Sequence, residues 1–574
     1  MTTLDIELPG ADLEMWALAE RGRLLLELGL AQGKSRSVQL LEEYANISEV
    51  LASMDGTHND NRQRNNGIYY TSFALAKVLV NESINARGSS DGTLLEPCVG
   101  GGAFLFAWID ATVSCPNPSA DDLRQILARC FIADNDKLAL KSLLQVIPHY
   151  LKARYGEAVN FPLENVFEGD SLLEASGGSF RVRDFRSFFK QPDGFDFVIT
   201  NPPYLSLKKD RRQGPRASSV IDEIYSQVKS SVSFRFLEGT VNLHKLFTEA
   251  ILDYWVSDSG VAGLLVPRSL LTDVRTSKLR RHLLEGFCIG PILQLREGND
   301  YFKSVGQALS AFAAVKGKPT ASISFGEIDD LKSRIVPSSV VPISTYERIS
   351  TGMALFDLGK EEMTFIEHLA RFTVIREHSE IVNLRGELDM SLDREFISDQ
   401  DTGLRLVQGA NVKKFGLGEP RKFVRPDFLA RPKGRWVGVH RLACQQISNW
   451  NQTTRMKWTH VPPGYVLANS CNFLALRDDL IVAPAIDDIF YLLGLLNSDL
   501  MNRRFRLLSP NNHVSNTEIG SFPVGNVGHA NRWEISRLAM ELTESYTEAS
   551  SQSLNRTVEE NFGIPTLSPI PPVV

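Results

Sequence analysis

The chain has 574 residues, 43% of them apolar and 23% charged, with a formal net charge of −6. That composition belongs to a globular protein of about two to four domains and excludes disordered and collagen-like chains. No apolar run reaches the roughly 20 residues of a membrane span, and the N-terminus has no basic-then-apolar signal pattern, so a cytoplasmic protein is expected. Cys98, Cys115, Cys130, Cys288, Cys444 and Cys471 form no C-x-x-C pair. That spacing disfavours zinc and a disulfide scaffold, and no metal is expected.

Residues 1–60 read as a helical segment, with Leu13, Trp16, Leu24, Leu25, Leu28 and Leu30 near helical spacing. Gly33-Lys34-Ser35 is not a triphosphate loop, because Leu28 stands where its first glycine is needed. Thr93–Glu96 is a short apolar run ending in an acid, and Pro97 leads into Cys98-Val99-Gly100-Gly101-Gly102 and a helical pattern through Trp108. Glycines at a strand-to-helix turn let the backbone approach a ligand and leave free N–H groups at the helix start. The spacing is not Gly-x-Gly-x-x-Gly with an acid about 20 residues on, which disfavours a dinucleotide. Cys130–Ala133 then runs into Asp134-Asn135-Asp136, and Asn165–Phe167 into Glu168-Gly169-Asp170-Ser171. An acid after the second strand suits a pair of ribose hydroxyls, and an acid–hydroxyl pair after the third suits an adenine amine. Singly, each acid is more often a helix cap.

Phe195–Thr200 alternates large apolar residues like a buried strand, and Asn201-Pro202-Pro203-Tyr204 follows. Two prolines without N–H groups must end the strand. Amide, proline-held carbonyls and aromatic ring are thus delivered at a strand end, where α/β sheets place their chemistry. Together they suit one task, gripping a planar group that carries an amine. Lys208, Lys209, Arg211 and Arg212 follow at once.

The order of Gly-rich loop, acid, acid and Asn-Pro-Pro-Tyr resembles the N6-adenine DNA methyltransferases with gamma motif order, the modification enzymes of bacterial and archaeal restriction–modification systems. Gly67-Ile68-Tyr69-Tyr70-Thr71-Ser72 matches that family's upstream cofactor motif. Two departures occur: Glu96-Pro97-Cys98-Val99-Gly100 replaces the commoner acid-Pro-Ala-Cys-Gly, and Lys137 stands where many members have proline. The resemblance implies a Rossmann-like α/β core with a mostly parallel, seven-stranded sheet, then an α+β target-recognition domain. It implies S-adenosyl-L-methionine as cofactor and double-stranded DNA as partner, and it allows a separate restriction endonuclease acting on the same site. By the same resemblance, Glu96, Pro97, Gly100 and Gly102 hold the methionine part, with Tyr70 and Thr71 at its carboxylate end. Asp134 takes the ribose, Asp170 with Ser171 takes the adenine, and Asn201, Pro202, Pro203 and Tyr204 form the catalytic motif. Tyr204 and Phe302 would sandwich a base turned out of the duplex. An ordinary core role for Phe302, ahead of the strand Ala308–Val315, is equally open.

Asn242–Phe247 opens a helix toward Trp255, and Val261–Val266 reads as the next strand. His244 at that helix start reads more simply as a core-surface histidine than as a ligand. Domain limits are expected at 61–325 for catalysis, 326–400 for a polar connector and 401–574 for recognition. From Asp401 to His460 twelve Lys/Arg face three acids, a local net charge of +9. A basic stretch in an acidic protein suits phosphate contacts, with Lys413, Lys414 and Arg421 as candidates alongside the four basic residues after Tyr204. Two other readings stay open: a protein-glutamine N5 methyltransferase, which shares Asn-Pro-Pro-Tyr, and a DNA-binding specificity component without turnover. The recognition sequence and the oligomeric state are not legible, although a monomer suffices.

Overall fold

A computed structural model describes residues 71–207, 215–295, 308–329, 331–449, 452–477, 486–509, 514–525 and 531–564. The 1–60 segment, Tyr70, Lys208, Lys209, Arg211, Arg212 and Phe302 lie outside them. The chain divides into two compact units, the first running to Ser344 and taking back Gly352–Leu355, the second holding Thr345–Thr351 and the chain from Phe356 onward.

The first unit is built on one sheet. Its strands are β1 (Leu94–Glu96), β2 (Cys130–Asp134), β3 (Val166–Glu168), β6 (Phe195–Thr200), β7 (Val256–Pro267), β8 (Phe287–Ile289), β9 (Ile292–Leu295), β10 (Leu309–Lys316), β11 (Ser322–Asp329) and β12 (Arg334–Pro342), while β4 (Leu173–Ser176) and β5 (Ser179–Val182) form a separate hairpin. The order is β12-β11-β9-β10-β7-β6-β1-β2-β3, with β8 beside β10. The expected parallel layer is present: β3, β2, β1, β6 and β7 pair in parallel, β10 is reversed between β7 and β9, and β12 is reversed against β11. β8, β11 and β12 extend the seven strands to ten. The chain moves outward from β1 to β3 and then returns to β6 on the other side of β1. A crevice opens at such a switch point, at the carboxyl ends of the strands.

Three helices fix this layer. α1 (Phe73–Arg87) is capped by the Ser72 side chain and stopped by Gly88 at φ 80°. α2 (Ala103–Thr112) starts from the glycine loop and buries Phe104, Leu105, Phe106, Trp108 and Ile109. α3 is Lys137–Tyr155. Trp108 packs against Phe197 of β6 with ring centroids 4.6 Å apart, so the helix after the glycine loop sits on the strand that carries the Asn-Pro-Pro-Tyr motif. Asp110 joins α2 to α3: its carboxylate pairs with Arg154 and accepts from the Tyr150 and Tyr155 hydroxyls, each at 2.7 Å.

The expected 326–400 connector is largely regular structure. β12 closes the edge of the first sheet, with Glu82 of α1 accepting from the Ile335 N–H at 2.8 Å. Buried Arg280 donates to the carbonyls of Gly352 and Met353, and Leu355 donates to Leu271 at 2.9 Å. Those bonds return 352–355 to the first unit. Sequence reading saw a polar stretch here because an edge strand such as β12 shows alternate faces to water.

The second unit has two four-stranded sheets. β13 (Ile381–Arg385), β20 (Cys471–Leu476), β17 (Arg441–Gln445) and β18 (Trp458–Val461) pair antiparallel in that order. β14 (Ile397–Ser398), β16 (Lys422–Val424), β15 (Arg405–Val407) and β19 (Tyr465–Leu467) form the other, with β15 and β19 parallel. Helices follow from Ile486–Asn497 onward. The Asn497 side chain accepts from the Trp458 N–H and donates to the Trp458 carbonyl, both at 2.9 Å, and so serves as a strand partner at the β18 edge. The mixed α+β character expected of this region is present.

Candidate active site

Three strand ends are knitted together by one residue, Asp134. Asp134 Oδ2 accepts from the Gly100 N–H at 2.8 Å and Oδ1 from the Asp136 N–H at 2.9 Å, while its backbone carbonyl accepts from Gly169 at 2.9 Å. The Val99 N–H also reaches the Ala133 carbonyl at 3.0 Å. Burial raises the Asp134 carboxyl, and the N–H groups of Asp136 and Gly100 oppose that rise. Asp134 therefore shapes the loop as well as offering its remaining lone pairs to a ligand. Gly100 and Gly102 are left-handed, at φ 49° and 79°, and a Cβ on Gly102 would lie 2.5 Å from the Leu143 side chain. Only glycine fits there.

Glu96 closes β1 and is 1% exposed, with Oε2 meeting no hydrogen-bond partner among the described residues. Burial pushes its carboxyl well above the usual range, opposed by the Leu105 N–H and reinforced by Asp134. An orphaned buried acceptor beside a glycine loop fits a donor that carries positive charge, such as the ammonium of an amino acid moiety. Asp170 is exposed, and its Oδ1 caps a turn by accepting from Leu172 and Leu173 at 2.8 and 3.2 Å, while Ser171 beside it is buried. The capping role that competes with ligand binding in sequence is thus in use.

The Asn201-Pro202-Pro203-Tyr204 segment leaves the end of β6 next to this loop, since β6 and β1 are paired neighbours. The Asn201 amide nitrogen donates to Thr71 Oγ1 at 3.1 Å, and the Tyr204 hydroxyl donates to Asn201 Oδ1. The same hydroxyl lies 3.1 Å from the Leu265 carbonyl. Sequence reading put Thr71 on the cofactor and used Tyr204 for its ring; here both side chains also orient the Asn201 amide. A carboxamide oxygen can accept more than one hydrogen bond, so this group is suited to meeting an amine donor. His244, in the first turn of α4 (Leu243–Ala250), sits with its ring edge-to-face to Tyr204 at 6.2 Å. It is 3% exposed, not at the core surface as the sequence suggested. Its proximity to Tyr204 had no local signal, because 40 residues separate them.

The basic stretch is less basic at the surface than its count. Arg441 is fully buried against Glu387, and Arg455 is 3% exposed. Lys414, Arg425 and Arg431 face Asp499, Asp427 and Asp393. Lys413 and Arg421 are exposed. Among the described residues no cluster of His, Cys, Asp or Glu could hold a metal, and no helix is long and apolar enough to cross a membrane.

Residues 133–302 match the family model of the Eco57I restriction-modification methylases. The resemblance to restriction–modification methylases holds. No curated protein sequence matches the chain. Among solved structures, the DrdV–DNA complex is 11% identical with a TM-score of 0.54, over 88% of this chain and 59% of that one. The type IIL restriction-modification enzyme MmeI in complex with DNA is 12% identical with a TM-score of 0.53, over 91% and 79%. The ATP-dependent type ISP enzyme LlaBIII bound to DNA is 12% identical with a TM-score of 0.52, over 88% and 41%. These likenesses are likenesses of fold. The chain spans 59% of the DrdV chain and 41% of the LlaBIII chain.

Proposed function

We propose that the protein methylates the N6 amine of an adenine turned out of a specific double-stranded DNA sequence, using S-adenosylmethionine, and so protects host DNA within a restriction–modification system. The observation that carries the reading is the Asn201 amide, pinned between Thr71 and Tyr204 at the end of β6, beside the buried, unpartnered Glu96 oxygen at the end of β1. The family match over 133–302 and the fold shared with DNA-bound restriction–modification enzymes support it.

Bound cofactor would supply an electrophilic methyl group on a sulfonium. Glu96, the Gly100–Gly102 backbone, Thr71, Asp134 and Asp170 with Ser171 would hold it. The exocyclic amine of adenine is a weak nucleophile because its lone pair is delocalised into the ring. Accepting the amine N–H bonds on the Asn201 carboxamide oxygen and the Pro202 carbonyl draws that nitrogen toward tetrahedral geometry and localises the lone pair. Orientation and fixed dipoles then do the catalytic work, with no strong base from the protein. Extruding the base costs a few kcal/mol, and stacking on Tyr204 returns about 1–3 kcal/mol.

Sequencing of modified adenines in DNA from a host expressing the gene, with Asn201→Ala as control, tests this. One methylated motif is expected in the wild type and none in the variant. Label transferred from the cofactor to protein instead of DNA would replace this reading with a protein methyltransferase. Cofactor binding without turnover on any substrate would leave a specificity component.

A further inference from the structure

The segment after Tyr204 and the segment before α4 form a short antiparallel ladder. Leu207 donates to Val241 at 2.8 Å, Leu243 donates to Leu205 at 2.9 Å, and Ser206 bridges Asn242. The ladder holds the His244 ring against Tyr204 at 6.2 Å, with the rings 85° apart. Both imidazole nitrogens are buried and meet no hydrogen-bond partner among the described residues. Burial, helped by the neighbouring Lys245 charge, pushes this imidazole down to about 3, so at neutral pH the ring is uncharged. A neutral imidazole has one N–H donor and one acceptor in a rigid plane. Leaving either unpaired in the interior costs about 1–3 kcal/mol. A core site under no further demand is served better by phenylalanine or leucine. The Tyr204 hydroxyl, meanwhile, donates to the oxygen assigned to the substrate amine, which places His244 beside that same site.

We infer that His244 is a positioning residue of the target-base pocket, whose imidazole hydrogen-bonds the polar ring edge of the base stacked on Tyr204. The assignment rests on the proposed methylation of a flipped adenine. It names a residue outside the Asn201–Tyr204 motif whose hydrogen-bonding capacity is satisfied only with substrate in place.

His244→Phe and His244→Gln in the full chain test it. The measurements are thermal stability, S-adenosylmethionine affinity by calorimetry, single-turnover methylation of a duplex carrying the modified motif, and base extrusion read from a second duplex with 2-aminopurine in place of the target adenine. His244→Phe should match or exceed the wild type in stability and keep cofactor affinity. Its transfer rate should fall about tenfold or more, the loss of one buried hydrogen bond, together with the extrusion signal. His244→Gln, which retains a donor and an acceptor, should recover part of the rate. Wild-type turnover by a stable His244→Phe overturns the inference and leaves the methyltransferase reading standing. A destabilised His244→Phe overturns it also, since the imidazole would then already be paired in the base-free protein. A wild type that methylates no DNA overturns both.

Discussion

At the residue scale, the Asn201 amide is the centre of the site and Thr71 and Tyr204 are its supports. Thr71→Val keeps the volume and removes the acceptor at 3.1 Å, and Tyr204→Phe keeps the stacking face and removes the hydroxyl. Each should lower the single-turnover rate about tenfold, the worth of one buried hydrogen bond, while Tyr204→Ala should cost more because the ring is lost too. A Tyr204→Phe variant equal to wild type would mean that the Tyr204 hydroxyl does not orient the amide. Glu96 gives a pH signature. Its carboxyl is raised by burial, and a cation favours the ionised form. Cofactor affinity should therefore rise as pH rises toward that elevated pKa, with proton release visible as a dependence of calorimetric heat on buffer ionisation enthalpy. Glu96→Gln should weaken binding and flatten the dependence. For folding stability without cofactor the sign is opposite. A raised folded pKa means stability is highest below the ordinary carboxylate range and falls as pH rises through the elevated value.

At the element scale, the glycine loop keeps its place because α2 is locked to α3 and to β6. Asp110 and Arg154 are 3% and 1% exposed, and both tyrosine hydroxyls converge on the same carboxylate. Asp110→Ala strands a buried guanidinium and two hydroxyls, and should destabilise the first unit by about 3–5 kcal/mol in urea unfolding. A change below about 1 kcal/mol would show that water replaces the carboxylate. Elements with an internal signature were legible in sequence: the β6 strand and its double-proline stop, the β7 run, the helix opening at Asn242. β12 was not, since an edge strand with Pro337, Ser338 and Ser339 in it reads as loop until a sheet edge is there to pair it.

At the scale of the whole molecule, burial sorts the basic residues of 401–460 into two groups with opposite expected phenotypes. Lys413→Ala and Arg421→Ala remove exposed charge. If they contact phosphate, each should reduce the slope of log affinity against log salt by about one, with stability unchanged. Arg441→Ala breaks a fully buried pair with Glu387, whose other oxygen accepts from Leu467 at 2.6 Å. It should unfold the second unit rather than alter the salt slope. Circular dichroism alongside the binding series separates the two. Dissection of the units also follows from packing: a cut near residue 330 removes β12 and the 352–355 return, so a stable first unit needs the chain through Leu355.

Sequence alone determined the α/β layer, the order of strand ends and the place of the Asn201–Tyr204 tetrapeptide at the end of β6, because strand periodicity, proline stops and glycine turns are local properties of a few adjacent residues. Tertiary structure decided everything that depends on residues far apart in the chain. It moved Thr71 onto Asn201 across 130 positions, gave Asp134 a second task in shaping the glycine loop, and buried Arg441 and Arg455 out of a segment that counting made uniformly basic. It also set His244 beside Tyr204 with no partner for either nitrogen among the described residues. Charge and spacing can be counted along a chain, but burial and hydrogen-bond satisfaction exist only once the chain has folded.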